Sequence, residues 1–265
     1  MDTSIFKCGE LPEFKKFTSE NINNQFPVVL EKIRKDFNTI ENNLSSCLIQ
    51  NDLNWDKVIN PLIEVNEVLR WSWGVIGHLN SVNDSESLRK IYSNFLPEII
   101  NLGSMFGQSK IIYDCIVKLK NTNKLDKVKN RILDKEILEM DHLGISLKKD
   151  DQEEFNIISK KLGKLTTDFS NNVNDSTKSW SLILKDKSQV DGLPERVLES
   201  MAESAHKFLK KDGQFNSKNG PWKLSLDIPT YTSFMTYATN RNLREKLYKA
   251  YVGRASQGEK IILKL

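Results

Sequence analysis

The sequence is poor in the side chains from which metal sites and nucleophilic centres are usually built. It has three histidines and three cysteines in 265 residues. No histidine has a second histidine four residues along the chain, so the His-Glu-x-x-His zinc motif is absent. The cysteines are far apart and form no Cys-x-x-Cys pair, which supports neither a cysteine zinc site nor a disulfide framework. They are Cys8, Cys47 and Cys115.

The histidines also lack neighbours with which they could act. His142 follows Asp141 directly, but adjacent residues on a helix point in different directions and cannot share a metal ion. We expect His142 and His206 to be exposed or half-buried helix residues, and His78 to be a hydrogen-bonded structural residue. Cys115 lies in an apolar segment, which favours an inert thiol. The sequence therefore predicts no catalytic residue, no cofactor-binding residue and no metal ligand.

Phosphate-binding loops and long apolar runs are missing as well. Gly74 and Gly77 do not fit the Gly-x-x-x-x-Gly-Lys pattern, and no Gly-x-Ser-x-Gly elbow occurs. Residues 1–12 contain no apolar signal segment, and no run approaches the roughly 20 residues of a membrane span. We therefore expect a cytoplasmic protein without a membrane partner.

The net charge of +4 is concentrated near one end of the sequence. Residues 241–265 contain seven basic and two acidic residues, so the remainder is close to neutral. No basic face interleaved with aromatic residues is evident, so we predict no nucleic-acid partner. The alternative of a basic protein that binds nucleic acid is supported by the isoelectric point alone.

Helical periodicity is what the sequence does contain. Residues 1–26 look like an extended arm, and Pro27 suits the first position of a helix, where its missing N–H costs nothing. Apolar residues then recur at steps of three and four, which indicates a buried helix face. Asn54 can cap a second helix and Pro61 should bend it. The short turn between these helices predicts antiparallel neighbours.

The second helix ends in the segment 71–82, which contains two glycines and is apolar on all sides. Such a helix end is typical of the interior of a helical domain. Ser85 can cap a third helix. Pro97 predicts a kink in that helix rather than its end, because the apolar spacing resumes at Met105, Ile112 and Ile116.

Two more helices follow, over about 125–144 and from about 150 onward. The first has an apolar stripe of Leu125, Val128, Ile132 and Leu138. The second has the most regular stripe in the sequence, and we expect that stripe to pack in the core. Its residues are Phe155, Ile158, Leu162, Leu165, Phe169 and Val173. The acidic residues at the start of this helix suit the helix dipole rather than acid–base chemistry.

Alternating patterns around 180–185 and 222–228 indicate two strands, whose relative direction is open. A helix from Pro194 separates them, and helices at about 230–239 and 241–255 follow. The sequence thus predicts a mainly α fold, a multi-helix bundle with a small two-stranded β element near the C-terminal third. The expected parts are an arm (1–26), a helical domain (27–177), a sheet with helices (178–258) and a tail (259–265).

Nine short segments, in order along the chain, resemble the N-terminal region of the oligopeptidase A and thimet oligopeptidase family of zinc endopeptidases. One of them is His-Leu-Asn-Ser-Val at 78–82. The tail 259–265 has no counterpart. The segments are residues 11–14, 62–66, 78–82, 88–92, 144–147, 169–173, 227–231, 243–248 and 254–256.

The resemblance implies a helical channel wall that limits substrates to short unfolded peptides. In the family, a His-Glu-x-x-His helix and a further glutamate hold the zinc ion, and this sequence matches none of those positions. Zinc is therefore implied for the full-length enzyme and not for this chain, which should be inactive alone. The resemblance also implies a monomer with an exposed apolar face where the catalytic half docks.

A hypothesis from a different class is a self-sufficient helical interaction module without catalysis. The absence of any site and the unmatched tail favour it. Whether the chain is a truncated gene product, a fragment or a natural short form stays open at this point.

Overall fold

The computed structural model describes residues 4–122, 125–210 and 216–256. The chain divides into two compact units, Met1–Lys164 and Leu165–Leu265. The predicted tail at 259–265 and part of the polar loop after the Pro194 helix lie outside the described residues.

The described residues form a mainly helical fold with one small sheet, which confirms the predicted fold class. The strands β1 (Ser181–Leu184) and β2 (Trp222–Ser225) pair antiparallel, with Leu182 opposite Leu224. The helices are α1 (Ser19–Gln50), α2 (Trp55–Val82), α3 (Glu86–Gly107), α4 (Lys110–Lys120), α5 (Lys127–His142), α6 (Lys149–Ser179), α7 (Glu195–Phe208), α8 (Ile228–Tyr237) and α9 (Arg241–Val252).

Two predicted helix caps are confirmed. The Asn54 side chain accepts a hydrogen bond of 3.0 Å from the Lys57 amide at the start of α2. The Ser85 hydroxyl accepts one of 3.3 Å from the Leu88 amide at the start of α3. Each bond satisfies an amide that has no partner within its own helix.

The predicted start of the first helix is wrong. Helix α1 begins at Ser19, and Pro27 lies inside it. The Thr18 hydroxyl caps the helix by accepting a hydrogen bond of 3.2 Å from the Asn21 amide. This earlier start brings Ile22 and Phe26 onto the buried face of the helix, so the added turns gain apolar burial.

The prediction that Pro97 does not end the third helix is confirmed, but the predicted extension of that helix to Ile112 and Ile116 is wrong. Pro97 lies within α3, but the helix ends at Gly107. A separate helix, α4, then begins with Ser109 as its cap, whose hydroxyl accepts a hydrogen bond of 3.3 Å from the Ile112 amide. Ile112 and Ile116 keep the apolar spacing because they belong to the separate helix α4, whose buried residues lie in the cluster that also contains Phe37 and Val58.

Helix α5 buries a different face from the predicted one. Leu133 and Met140 are its buried residues, whereas Val128, Ile132 and Leu138 are exposed. The spacing of apolar residues did not reveal which side of this helix its neighbours cover.

An aromatic cluster centred on Phe26 joins the first three helices. Phe26 is fully buried. Its ring lies 5.4 Å from Phe6 in the N-terminal arm, 6.0 Å from Trp73 in α2 and 5.1 Å from Phe95 in α3, between ring centroids. Trp73 in turn stacks on Tyr92 at 4.5 Å. Such ring pairs add to the stability that apolar burial alone supplies.

The predicted antiparallel packing of α1 and α2 is confirmed by the composition of the core. The early α1 residue Phe26 shares a buried cluster with the late α2 residue Ile76. The late α1 residue Leu44 shares another with the early α2 residue Val58. This arrangement requires the two helices to run in opposite directions.

The second unit has its own core between the sheet and α7, α8 and α9. Trp222 is its largest fully buried residue, and its indole N–H donates a hydrogen bond of 2.9 Å to the Ser217 carbonyl. Leu224 and Phe234 are fully buried beside it. Among the described residues, no helix combines the length and apolar character that a membrane span requires.

Replacing Phe26 with alanine should lower the free energy of unfolding by about 3–5 kcal/mol, because it empties the centre of the aromatic cluster. Val28→Ala is the matched control: its side chain lies on the same helix and is 68% exposed. The control should change stability by no more than about 0.5 kcal/mol. Urea unfolding followed by circular dichroism measures both, and equal losses would contradict a central role for Phe26.

Two glycines of α3 should respond to alanine in opposite directions. A Cβ at Gly107 would lie 2.9 Å from the Leu143 Cβ, whereas a Cβ at Gly103 would meet nothing within 4 Å. Gly107→Ala should therefore destabilise by about 1–3 kcal/mol through overpacking. Gly103→Ala should stabilise by about 0.5–1 kcal/mol through helix propensity. Thermal unfolding tests both, and a stabilising Gly107→Ala would show that Leu143 does not restrict this position.

Candidate functional site

The three histidines lie on three different helices. His78 is an exposed residue of α2 whose ring lies 5.6 Å from that of Phe14, between centroids. His142 in α5 is exposed, and His206 in α7 is half-buried. Among residues 4–122, 125–210 and 216–256, no group of three or more histidine, cysteine, aspartate or glutamate side chains could hold a metal ion.

Cys115 is fully buried in α4. Its thiol donates a long hydrogen bond of 3.7 Å to the Leu44 carbonyl. Burial, more than the nearby Cys47 and Asp114, raises the pKa of the Cys115 thiol to about 11. The thiol is therefore protonated at neutral pH, and a protonated thiol is a poor nucleophile.

The segment 71–82 is buried on one side only. Val75, Ile76 and Leu79 lie in the core, but Gly74 and His78 are exposed, so burial on all sides of this helix end was a wrong expectation. The hydroxyl of Ser72 and the side-chain oxygen of Asn80 are buried and have no hydrogen-bond partner among the described residues. The segment contributes packing and offers no reactive group.

The most unusual surface of the first unit is the outer side of α6. Ile157, Ile158 and Leu162 are 66%, 55% and 62% exposed, although they are large and apolar. None of the residues of α6 is classed as buried. The prediction that this regular stripe packs in the core is therefore wrong. We call the surface formed by these three residues the α6 apolar face.

Polar contacts help to attach helix α6 to its neighbours. The side-chain amides of Asn156 and Gln108 exchange hydrogen bonds of 2.9 and 3.1 Å. The Gln152 amide donates a hydrogen bond of 2.8 Å to the Gly144 carbonyl. Amide pairs of this kind need fixed geometry, so they set the rotation of α6 about its own axis.

Close packing at a glycine supports the same orientation. A Cβ at Gly163 would lie 2.6 Å from the Ile100 Cδ1, the end of a flexible side chain, so α6 and α3 are in close contact at this position. Ile157, Ile158 and Leu162 remain largely exposed, whereas Phe155 of the same helix is half-buried. Contiguous exposed apolar residues are typical of a surface that binds another protein surface.

A protein-family model matches most of the first unit. Residues 26–152 match the model described as the N-terminal domain of neurolysin and thimet oligopeptidase.

Several curated relatives match nearly the whole chain, among them two from a plant and one from a bacterium. The organellar oligopeptidase A of Arabidopsis thaliana, chloroplastic and mitochondrial, is 31% identical over 94% of this chain and 31% of its own length. The probable cytosolic oligopeptidase A of the same plant is 32% identical over 94% of this chain and 35% of its own length. Oligopeptidase A of Haemophilus influenzae is 32% identical over 97% of this chain and 36% of its own length.

The chain therefore spans about a third of the length of the curated relatives it matches. The family model and the relatives agree with the resemblance seen in the short segments, including His-Leu-Asn-Ser-Val at 78–82. The chain belongs to the oligopeptidase A and thimet oligopeptidase family and corresponds to the N-terminal portion of its members.

Proposed function

We propose that this chain is the helical, channel-wall portion of an oligopeptidase A-like zinc metalloendopeptidase, and that it does not hydrolyse peptides by itself. In this role it restricts access to an active site that other residues supply, so that only short unfolded peptides enter. The single observation that supports the proposal most strongly is the similarity to oligopeptidases over nearly the whole chain.

The α6 apolar face supports this proposal from the structure. Ile158 and Leu162 stand on one side of a helix that is fixed from its other side by amide hydrogen bonds. Full burial of an exposed side chain of this size contributes about 1.5–3 kcal/mol of favourable free energy. We propose that a catalytic portion, of the kind that makes up the rest of the relatives, covers this face.

The described residues of this chain do not fit a zinc site. Their histidines are on separate helices, and the sequence has no His-Glu-x-x-His. The proposal therefore assigns no zinc ligand and no catalytic residue to this chain. In the whole enzyme, zinc would supply a Lewis acid and an activated water.

The proposed location is the cytoplasm, and the proposed state of the chain is a monomer. One plant relative is named as cytosolic and another as chloroplastic and mitochondrial. A fluorescent fusion would test the location in cells, and sedimentation velocity would test the monomer.

The purified chain, supplied with zinc and a short fluorogenic peptide, should show no hydrolysis above buffer, because it contains no His-Glu-x-x-His. Full-length oligopeptidase A of Haemophilus influenzae is the positive control. Hydrolysis that follows the chain through purification and stops when a chelator is added would contradict this prediction.

A chimera in which this chain replaces the N-terminal third of the Haemophilus influenzae enzyme should cleave short peptides and leave folded proteins intact. Ile158→Ser combined with Leu162→Ser should weaken docking within the chimera by about 3 kcal/mol or more, because two large apolar side chains are lost. A lower melting temperature and a reduced peptidase rate report that loss.

Val128→Ser is the matched control for this chimera, since Val128 is an exposed apolar residue of α5 outside the α6 apolar face. It should leave both readouts unchanged. Equal behaviour of the control and the double variant would remove the docking role from this face. A folded chimera without activity would favour the alternative of a non-catalytic interaction module.

A further inference from the structure

A cavity of about 390 Å³ lies in the second unit, beside the end of α6 and along α9. Its volume falls within the range of roughly 300–1,000 Å³ that is usual for small-molecule sites. Hydroxyl groups, an indole and basic side chains are among the groups that line the cavity. These residues are Ser176, Ser179, Trp180, Lys246, Lys249 and Arg254.

The guanidinium of Arg254 is held in place by an aromatic stack. It lies 3.6 Å from the centre of the Tyr251 ring, and that ring stacks on Tyr231 at 3.8 Å. The Arg254 Nε donates a hydrogen bond of 2.9 Å to the Tyr251 carbonyl, and Nη1 donates one of 3.3 Å to the Thr177 hydroxyl. An arginine that is fixed in this way loses little conformational freedom when it binds a ligand.

The backbone next to Arg254 is held in an unfavourable conformation. Ala255 has φ of 58°, which is a left-handed value that alanine rarely adopts. Its amide donates a hydrogen bond of 3.2 Å to the Ser176 hydroxyl. Strained backbone of this kind persists where surrounding contacts fix it, and it is frequent at ligand sites.

The basic groups of the cavity are short of counter-charges. Lys249 pairs with Glu245 at 2.6 Å. In the part of the chain that the structure describes, neither Arg254 nor Lys246 has a carboxylate within 4.0 Å. Two of the five N–H donors of Arg254 are engaged with protein oxygens, so the remaining donors are available to a ligand.

The surrounding charge favours an anion as well. Residues 241–256 contain five basic residues and one acidic residue. This segment therefore attracts an approaching anion before contact is made.

We propose that this cavity binds the free carboxylate of a short peptide. Arg254 and Lys246 neutralise the carboxylate, the Ser176 hydroxyl donates to it, and the Trp180 indole contacts the neighbouring side chain. The choice of a peptide as the source of the carboxylate rests on the proposed function. A phosphate group shares the oxyanion chemistry, so the test compares the two.

The test is isothermal titration of the 265-residue chain with a capped dipeptide acid, with the C-terminal amide of the same dipeptide, and with inorganic phosphate. The acid should bind at least about tenfold more tightly than the amide, because the charged hydrogen bonds are lost in the amide. Added salt should weaken binding of the acid. Phosphate should bind more weakly than the peptide acid.

Arg254→Gln and Lys246→Gln should each weaken binding of the acid by about tenfold. Arg241→Gln is the matched control, because Arg241 carries the same charge, lies on α9 with Lys246 and does not line the cavity. It should change the affinity by less than about twofold. Lys246 is an exposed side chain, so its variant decides the question if Arg254→Gln unfolds.

Equal affinity for the acid and the amide would overturn the proposal, as would unchanged affinity in both cavity variants. Phosphate that binds as tightly as the peptide acid would overturn the assignment to a peptide carboxylate. None of these measurements requires catalysis. Failure here therefore leaves the channel-wall proposal standing, and an inactive chimera leaves this proposal standing.

Discussion

The packing of aromatic rings onto Phe26 is the interaction on which the first unit depends. Rings from the N-terminal arm, α2 and α3 meet there, so one residue of α1 fixes three other segments. Together with the apolar residues of α4, this cluster completes the core without α6. Helix α6 can therefore be attached by amide hydrogen bonds, which leaves its apolar side available for another surface.

The parts of the fold that sequence predicts well are those that depend on neighbouring residues. A helix cap bonds to an amide only three residues away. Asn54 and Ser85 could therefore be predicted as caps, because each comes just before a segment with helical apolar spacing. The rule for Pro27 failed because Thr18 provides a competing cap earlier in the chain. Two local signals were present, and the burial of Ile22 and Phe26 decided between them.

The orientation of α5 and α6 could not be predicted from sequence, for a physical reason. Periodic spacing shows that a helix has an apolar side, but it does not show which element covers that side. In α6 the side that contacts the unit is marked by the hydrogen bonds of Asn156 and by the close contact at Gly163, and neither residue is part of the apolar pattern. A regular stripe such as Ile158 and Leu162 is therefore equally compatible with a core and with an interface.

Arg254 was hidden from sequence reasoning because its setting is built by residues far along the chain, such as Thr177 and Tyr231. Sequence alone assigns it to a basic C-terminal stretch and to the matched segment 254–256. Its cavity and the α6 apolar face should respond oppositely to salt. Screening weakens the attraction of a carboxylate to Arg254, whereas salting-out anions strengthen the burial of Ile158 and Leu162. The salt dependence of binding can therefore distinguish the two surfaces within one chain, even though both are assigned to the same enzyme.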